Sequence, residues 1–225
     1  MTLTVKENPS KVGDTPSRVK PRLRGRLHQV TAFLSVPAAI ALFIHAGGVM
    51  AHAGAAVYGI TLITLFVVSA VYHVHHWEPE PRRKMKRVDH SVIYGFIAGS
   101  YTVCCLLVLH GPLRVSVLIA TWIGAAIGIA IQLHPRLAFH KAHNALYIIM
   151  GWLVIVGTPQ LVRHLSGGNL VLLFAGGGLY TIGAAMLAFK WPDPWPKVFG
   201  FHEVWHLMVF AAALCHYVLF WQLIP

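Results

Sequence analysis

Long apolar blocks alternate with short polar connections along this chain, with runs at 30–50, 53–73, 91–109, 113–133, 144–162, 170–189 and 204–224. Each run supplies the ~20 residues with which a helix crosses the hydrocarbon core of a bilayer. The pattern predicts an all-α integral membrane protein, a seven-transmembrane helix bundle occupying 27–225. Residues 1–26 are polar, basic and rich in Pro and Ser, a composition that cannot bury a core, and they predict a disordered, solvated tail. Because this polar segment precedes a first run of full-span length, no cleavable signal peptide is expected.

Composition agrees with the pattern: 56% of the 225 residues are hydrophobic and only 11% charged, far from the make-up of a soluble domain. The net charge of +11 could suggest a nucleic-acid partner. The positions of the charges point elsewhere. If the tail lies in the cytoplasm and the chain changes side at each span, the inside holds Lys6, Lys11, Arg18, Lys20, Arg22, Arg24 and Arg26 of the tail. It also holds Arg82, Arg83, Lys84, Lys86 and Arg87 of the second connection, Arg136 and Lys141 of the fourth, and Lys190 and Lys197 of the sixth. Only Arg114 and Arg163 fall outside. This asymmetry predicts an inward amino terminus and an outward carboxyl terminus. The basic surplus is a topology signal, with attraction to anionic headgroups worth roughly 1 kcal/mol per residue as a secondary effect. The expected partners are membrane lipids, not nucleic acid.

That orientation converts sequence position into depth. His73 falls at the inner end of span two, Asp89 at the inner start of span three, and His202 and His206 at the inner start of span seven. Ser69 lies one turn before His73 on the same helical face. The pair His202 and His206 has i, i+4 spacing, so both imidazoles can address one ion. Three imidazoles with an open fourth position is the ligand set of a catalytic zinc site, where a carboxylate such as Asp89 could hold or deprotonate bound water. Ser69 could orient a carbonyl or stabilise an oxyanion.

Most of the fifteen histidines have a plainer reading as interfacial or loop residues. His45, His52, His110 and His164 fall near outer ends, and His75, His76, His134, His140 and His143 near inner ones. Glu203 follows His202 by about 100° around the helix and so points away from the pair. His216 lies roughly 15 Å beyond His206 along the axis, too far to share an ion. Cys104, Cys105 and Cys215 sit inside apolar runs without Cys-x-x-Cys spacing and read as packing residues. Gly124 with Gly128, and Gly176 to Gly178 with Gly183, have the spacing of close helix contacts. Pro37 is expected to kink span one, and the Trp- and Pro-rich stretch 191–196 reads as a rigid loop with aromatic anchors.

The segments Ser69-Ala-Val-Tyr-His73, Lys86-Arg-Val-Asp-His-Ser-Val-Ile-Tyr94 through Ala98-Gly-Ser-Tyr-Thr102, and Phe199-Gly-Phe-His-Glu-Val-Trp-His206 with Cys215-His-Tyr217 resemble the hemolysin III family of bacterial membrane proteins. That family is related to the progestin and adipoQ receptors and to the wider CREST group, which includes alkaline ceramidases. The resemblance covers spans two to seven. It implies a seven-helix fold with an inward amino terminus, zinc ligands at His73, His202 and His206, Asp89 linked to the ion through water, and Ser69 beside them. Two positions depart from the pattern. Val103 stands where relatives often carry proline, and span one offers Leu27-His28-Gln29 in place of a Thr-His element.

Three functions are then expected candidates. The leading one is a zinc-dependent hydrolase of lipid amide or ester bonds, with Asp89 and Ser69 as catalytic residues and a lipid-like substrate, in a bacterial plasma membrane. The second is a non-catalytic sensor or homeostasis factor stabilised by zinc. The third is membrane lysis, against which the absence of any soluble form of such an apolar chain argues.

Overall fold

The computed structural model describes residues 20–136 and 142–224, with the side chains of 142–145 left aside. The described residues form eight helices: α1 (Arg26–His45), α2 (Val49–Val74), α3 (Pro79–Leu107), α4 (Gly111–Leu133), α5 (Ala142–Trp152), α6 (Val154–His164), α7 (Gly167–Phe189) and α8 (Phe201–Leu223). Seven stretches among them are long and apolar enough to span a membrane, the fifth being Leu146–His164, which α5 and α6 share. The chain is thus an all-α, seven-span membrane bundle. Residues 1–19 of the expected tail, with Lys6, Lys11 and Arg18, lie outside the described residues, as do His140 and Lys141.

Helices α1 to α4 pack in succession, α5 touches α3, α4 and α7, and α8 packs on α7 and α1 while also touching α3, which closes the bundle. Its interior is aromatic. Tyr58, Phe66, Tyr94 and Phe220 are fully buried, and Tyr58 meets Phe220 edge to face at 4.7 Å. The outer surface is apolar as well, with Phe33, Ile44, Val49, Ile149, Val171 and Phe189 exposed. An interior of large rings inside an apolar exterior suits a solvent of lipid tails. Threonine hydroxyls within the spans return to their own helix, as where Thr61 donates to the Val57 carbonyl at 3.0 Å and Thr102 to that of Ala98 at 2.8 Å.

Two local features differ from the pattern-based expectation. α1 begins at Arg26, four residues before the first apolar run. An interruption lies in span five. There Leu153 N–H bonds Met150 O at 3.3 Å and Val156 N–H bonds Leu153 O at 3.1 Å, a pair of tightened turns. The Gly151 carbonyl accepts from the Tyr101 hydroxyl at 2.8 Å beside this break. The remaining expectations concern packing. Gly124 faces the Met150 sulfur, Gly128 lies against the Tyr94 ring, and Gly183 meets Met208 and Trp205. Cys104, Cys105 and Cys215 are all free thiols.

Helices α1 and α2 approach closely at Gly59, where an added Cβ would stand 2.8 Å from Ala39 Cβ and 3.5 Å from its Cα. Alanine adds roughly 1 kcal/mol of helix propensity over glycine, whereas overpacking against a backbone costs about 1–3 kcal/mol. The clash therefore wins. Gly59→Ala is expected to lower the thermal midpoint of the protein in detergent, whereas Gly177→Ala, with nothing within 4 Å of its Cβ, leaves it level or raises it. A Gly59→Ala midpoint at or above wild type would contradict this close approach.

Candidate metal centre

The rim of the bundle that carries the start of α1 also carries the end of α2 and the starts of α3 and α8. Four helices therefore deliver polar side chains to one level. His73 comes from the last turn of α2, and His202 and His206 from successive turns of α8. One ligand atom from each of the three lies within 4.8 Å of the others. His73 Nε2 and His202 Nε2 are 3.2 Å apart, close to the ~3.3 Å edge of a tetrahedron with metal–nitrogen bonds of about 2.0–2.1 Å. His73 and His206 are buried, and His202 is partly so.

The donor chemistry fits a borderline-soft divalent cation such as zinc. Imidazole nitrogens are its ordinary ligands, and the buried His206 Nδ1 makes no hydrogen bond within the protein. Buried polar atoms are rarely left so. The Asp89 carboxylate, buried on α3, places Oδ2 3.8 Å from His73 Nε2 and 3.5 Å from His90 Nδ1. The first of these is too long for a direct hydrogen bond and is the kind of gap a water bridges.

Ser69, one turn before His73, is buried and lies 2.8 Å from Nδ1 of His28. His28 stacks on His206, with ring centroids 3.8 Å apart and planes within 6°. It also meets Phe66 edge-on. A neutral imidazole has one N–H. Placing it on Nδ1 lets His28 donate to Ser69 Oγ and leaves the serine's own proton free to turn toward the imidazole cluster. His28 thus belongs to the cluster geometrically. The sequence reading placed it before the first span, and only the earlier start of α1 brings it to the depth of Ser69. Its signal was present in the register: a histidine at the inner start of a span, level with His73, Asp89 and His202.

The two residues set aside by spacing stay outside the cluster. Glu203 turns back to close the start of α8, accepting from Gly200 N–H at 2.8 Å, and forms an ion pair with Arg24. His216 sits further along α8 with Nε2 3.3 Å from the Leu173 carbonyl. Around the cluster, Arg22 and Leu23 donate backbone hydrogen bonds of 3.0 and 3.1 Å to the carbonyls of Lys197 and Val198. Residues 20–25, grouped with the tail by composition, therefore form a strap fastened to the α7–α8 loop. Gly25 in this strap has φ +78°, and a Cβ there would come within 2.5 Å of His73 Cβ. Only glycine meets both conditions, so the strap lies directly against one of the three imidazoles.

A seven-span bundle that gathers three imidazoles within reach of one cation, beside a buried carboxylate and hydroxyl, defines the class: a multi-pass membrane protein with a candidate intramembrane metal centre. Comparison with known proteins identifies the family. A family model described as "Haemolysin-III related" matches residues 17–217, and the chain belongs to that family. It is 39% identical over 202 residues to Hemolysin-3 of Bacillus cereus, covering 87% of this chain and 89% of that one. It is 32% identical over 200 residues to the Hemolysin-3 homolog of Bacillus subtilis (strain 168), covering 86% and 90%. The similarity extends to the human monocyte to macrophage differentiation factor, 30% identical over 172 residues, or 74% of this chain and 68% of that protein.

Proposed function

We propose that the protein is a zinc-dependent hydrolase acting on an amide or ester bond of a membrane lipid, reached from the inner leaflet. One observation carries the reading: Asp89 on α3 and Ser69 on the adjacent α2 lie beside three converging imidazoles at the polar end of an otherwise apolar bundle. His73, His202 and His206 would hold the ion. Bound zinc supplies a polarising positive charge and brings the pKa of a coordinated water toward about 7.

The chain's own groups account for the rest. The Asp89 carboxylate accepts the proton of the attacking water and can return it to the leaving amine or alkoxide. Ser69, held by His28, directs its hydroxyl proton at the carbonyl oxygen as negative charge develops there. The test is turnover of labelled ceramide and phospholipid species by the purified full chain. Ser69→Ala is expected to lower the rate by about 10²–10³-fold, the usual effect of losing one oxyanion donor, with metal content and thermal midpoint unchanged. Wild-type turnover in that variant would refute the role of Ser69, and turnover retained in His206→Ala would refute the reaction as a whole.

A second reading has its own support. The Arg24 to Glu203 ion pair and the contact of Gly25 with His73 close the cluster on the strap side, as suits an ion that holds α2 and α8 together without chemistry. It predicts that chelation lowers the thermal midpoint while Ser69→Ala changes no phenotype. The names of the Bacillus relatives raise membrane lysis as a third activity. Liposome leakage by purified protein, compared with His73→Ala, distinguishes a pore from a secondary effect.

A further inference from the structure

A cavity of about 180 Å³ opens beside the strap, walled by Lys20, Pro21, Arg22, Arg24, Arg26, His73, Val74 and His76. It lies apart from the imidazole cluster, sharing His73 as a common wall. Four of its lining residues carry fixed positive charge, and the lining contains no acidic side chain. One cation is accounted for, since Arg24 pairs with Glu203. Arg26 reaches Gln29 Oε1 at 2.8 Å, a neutral partner. Arg82 adds further positive field, and Lys20 has its pKa held below the usual lysine value by partial burial and by the charges of Arg82, Arg24 and Arg26. The strap's backbone hydrogen bonds to Lys197 and Val198 hold these like charges together despite their repulsion.

We propose that this cavity is a binding site for a phosphate group at the membrane rim, with Arg22, Arg26 and Lys20 as its ligands. Size argues for the ligand class. The volume holds about six waters' worth of space, more than a carboxylate fills and well below the roughly 300–1,000 Å³ of a site for a drug-sized molecule. Charge argues likewise, because planar guanidinium forks match the oxygens of a phosphate and can bind two at once. Position supplies the third argument. Arg26 opens α1 and Val74 closes α2, so the cavity lies at headgroup level, where basic pockets meet anionic lipids. The shared chemistry is phosphate, whether on a lipid headgroup or free in solution.

The test uses the full chain in nanodiscs of phosphatidylcholine, with or without phosphatidic acid, and separately with inorganic phosphate titrated into the neutral discs. Readouts are the thermal midpoint and native mass spectra of retained lipid. Wild type is expected to gain stability and retain phosphatidic acid if the source is lipid, or to show a saturable rise with inorganic phosphate if the source is solution. Arg22→Gln and Arg26→Gln should each weaken binding roughly tenfold, as for loss of one charge-assisted contact. Arg163→Gln, at the opposite rim, removes the same charge and should leave binding unchanged. Metal content should stay at the wild-type level throughout, which separates this site from the imidazole cluster. The proposal is overturned if neither probe binds, if the two cavity variants bind as wild type does, or if Arg163→Gln weakens binding equally.

Discussion

His206→Ala is expected to take the metal content of the purified protein from about one ion per chain, the occupancy a three-imidazole site implies, to background. His206 is the most buried of the three candidate ligands, and its ring centroid lies 4.8 Å from that of His73 and 4.6 Å from that of His202. Two remaining imidazoles leave the cation short of its usual protein ligands. On the proposed reading, in which Asp89 would reach the ion only through water, Asp89→Asn should weaken affinity by about 10–100-fold, the usual cost of an outer partner, and His216→Ala should change nothing. Elemental analysis after gel filtration measures all three. The stacking of His28 on His206 is lost in the alanine variant too, so the comparison includes chelated wild type: the midpoint gap between wild type and His206→Ala should narrow once both lack metal. Full metal content in His206→Ala would remove the centre from consideration.

The second large effect concerns the strap. Glu203 is almost wholly buried, with 3% of its side chain exposed, and its charge is matched by Arg24, whose side chain is 21% exposed. Removing one partner of a buried pair leaves the other charge uncompensated and costs about 3–5 kcal/mol. Partial exposure of Arg24 places Arg24→Ala near the low end, about 3 kcal/mol. The double variant Arg24→Ala with Glu203→Gln should recover most of this, because no charge is then stranded and Gly200 N–H keeps an acceptor. Thermal melts of the three proteins in one detergent decide the matter. A double variant no more stable than Arg24→Ala would mean that the strap is held by its backbone hydrogen bonds alone.

The spans and the level of the cluster were legible in the sequence for a simple reason. In lipid a span must be apolar along its length, so ionisable residues such as His73, Asp89, His202 and His206 stand out, and counting residues from the span ends gives their depth. What pattern reading missed lies where that contrast fades. The first turn of α1 contains Arg26, His28 and Gln29, so hydropathy starts the span at Val30 and leaves His28 just ahead of it. Packing against α2 and α8 extends the helix back over these polar residues. The strap escaped notice for a related reason, since its partners Lys197, Val198 and Glu203 lie at the other end of the chain and its composition is that of a solvated segment. The break at Leu153 has only Gly151 beside it as a local mark, and a single glycine in an apolar run reads equally well as a packing residue. The imidazole pair in α8 was visible because its i, i+4 spacing is written locally. Its meeting with His28 was not, because stacking depends on the azimuth of two separate helices.

The order in which these groups enter the membrane has a consequence for biogenesis. His73 and His202 meet across 129 positions, and Arg24 and Glu203 across 179. Early in translation the ribosome delivers His28, Ser69, His73 and Asp89, which wait as an open half-site while four further spans are inserted. The centre and its strap are completed together, in one late step, when α8 docks between α7 and α1. Loading of any ion would therefore be post-insertional, and a chain stalled before α8 lacks two of the three imidazoles that would hold a cation and the carboxylate that anchors the strap.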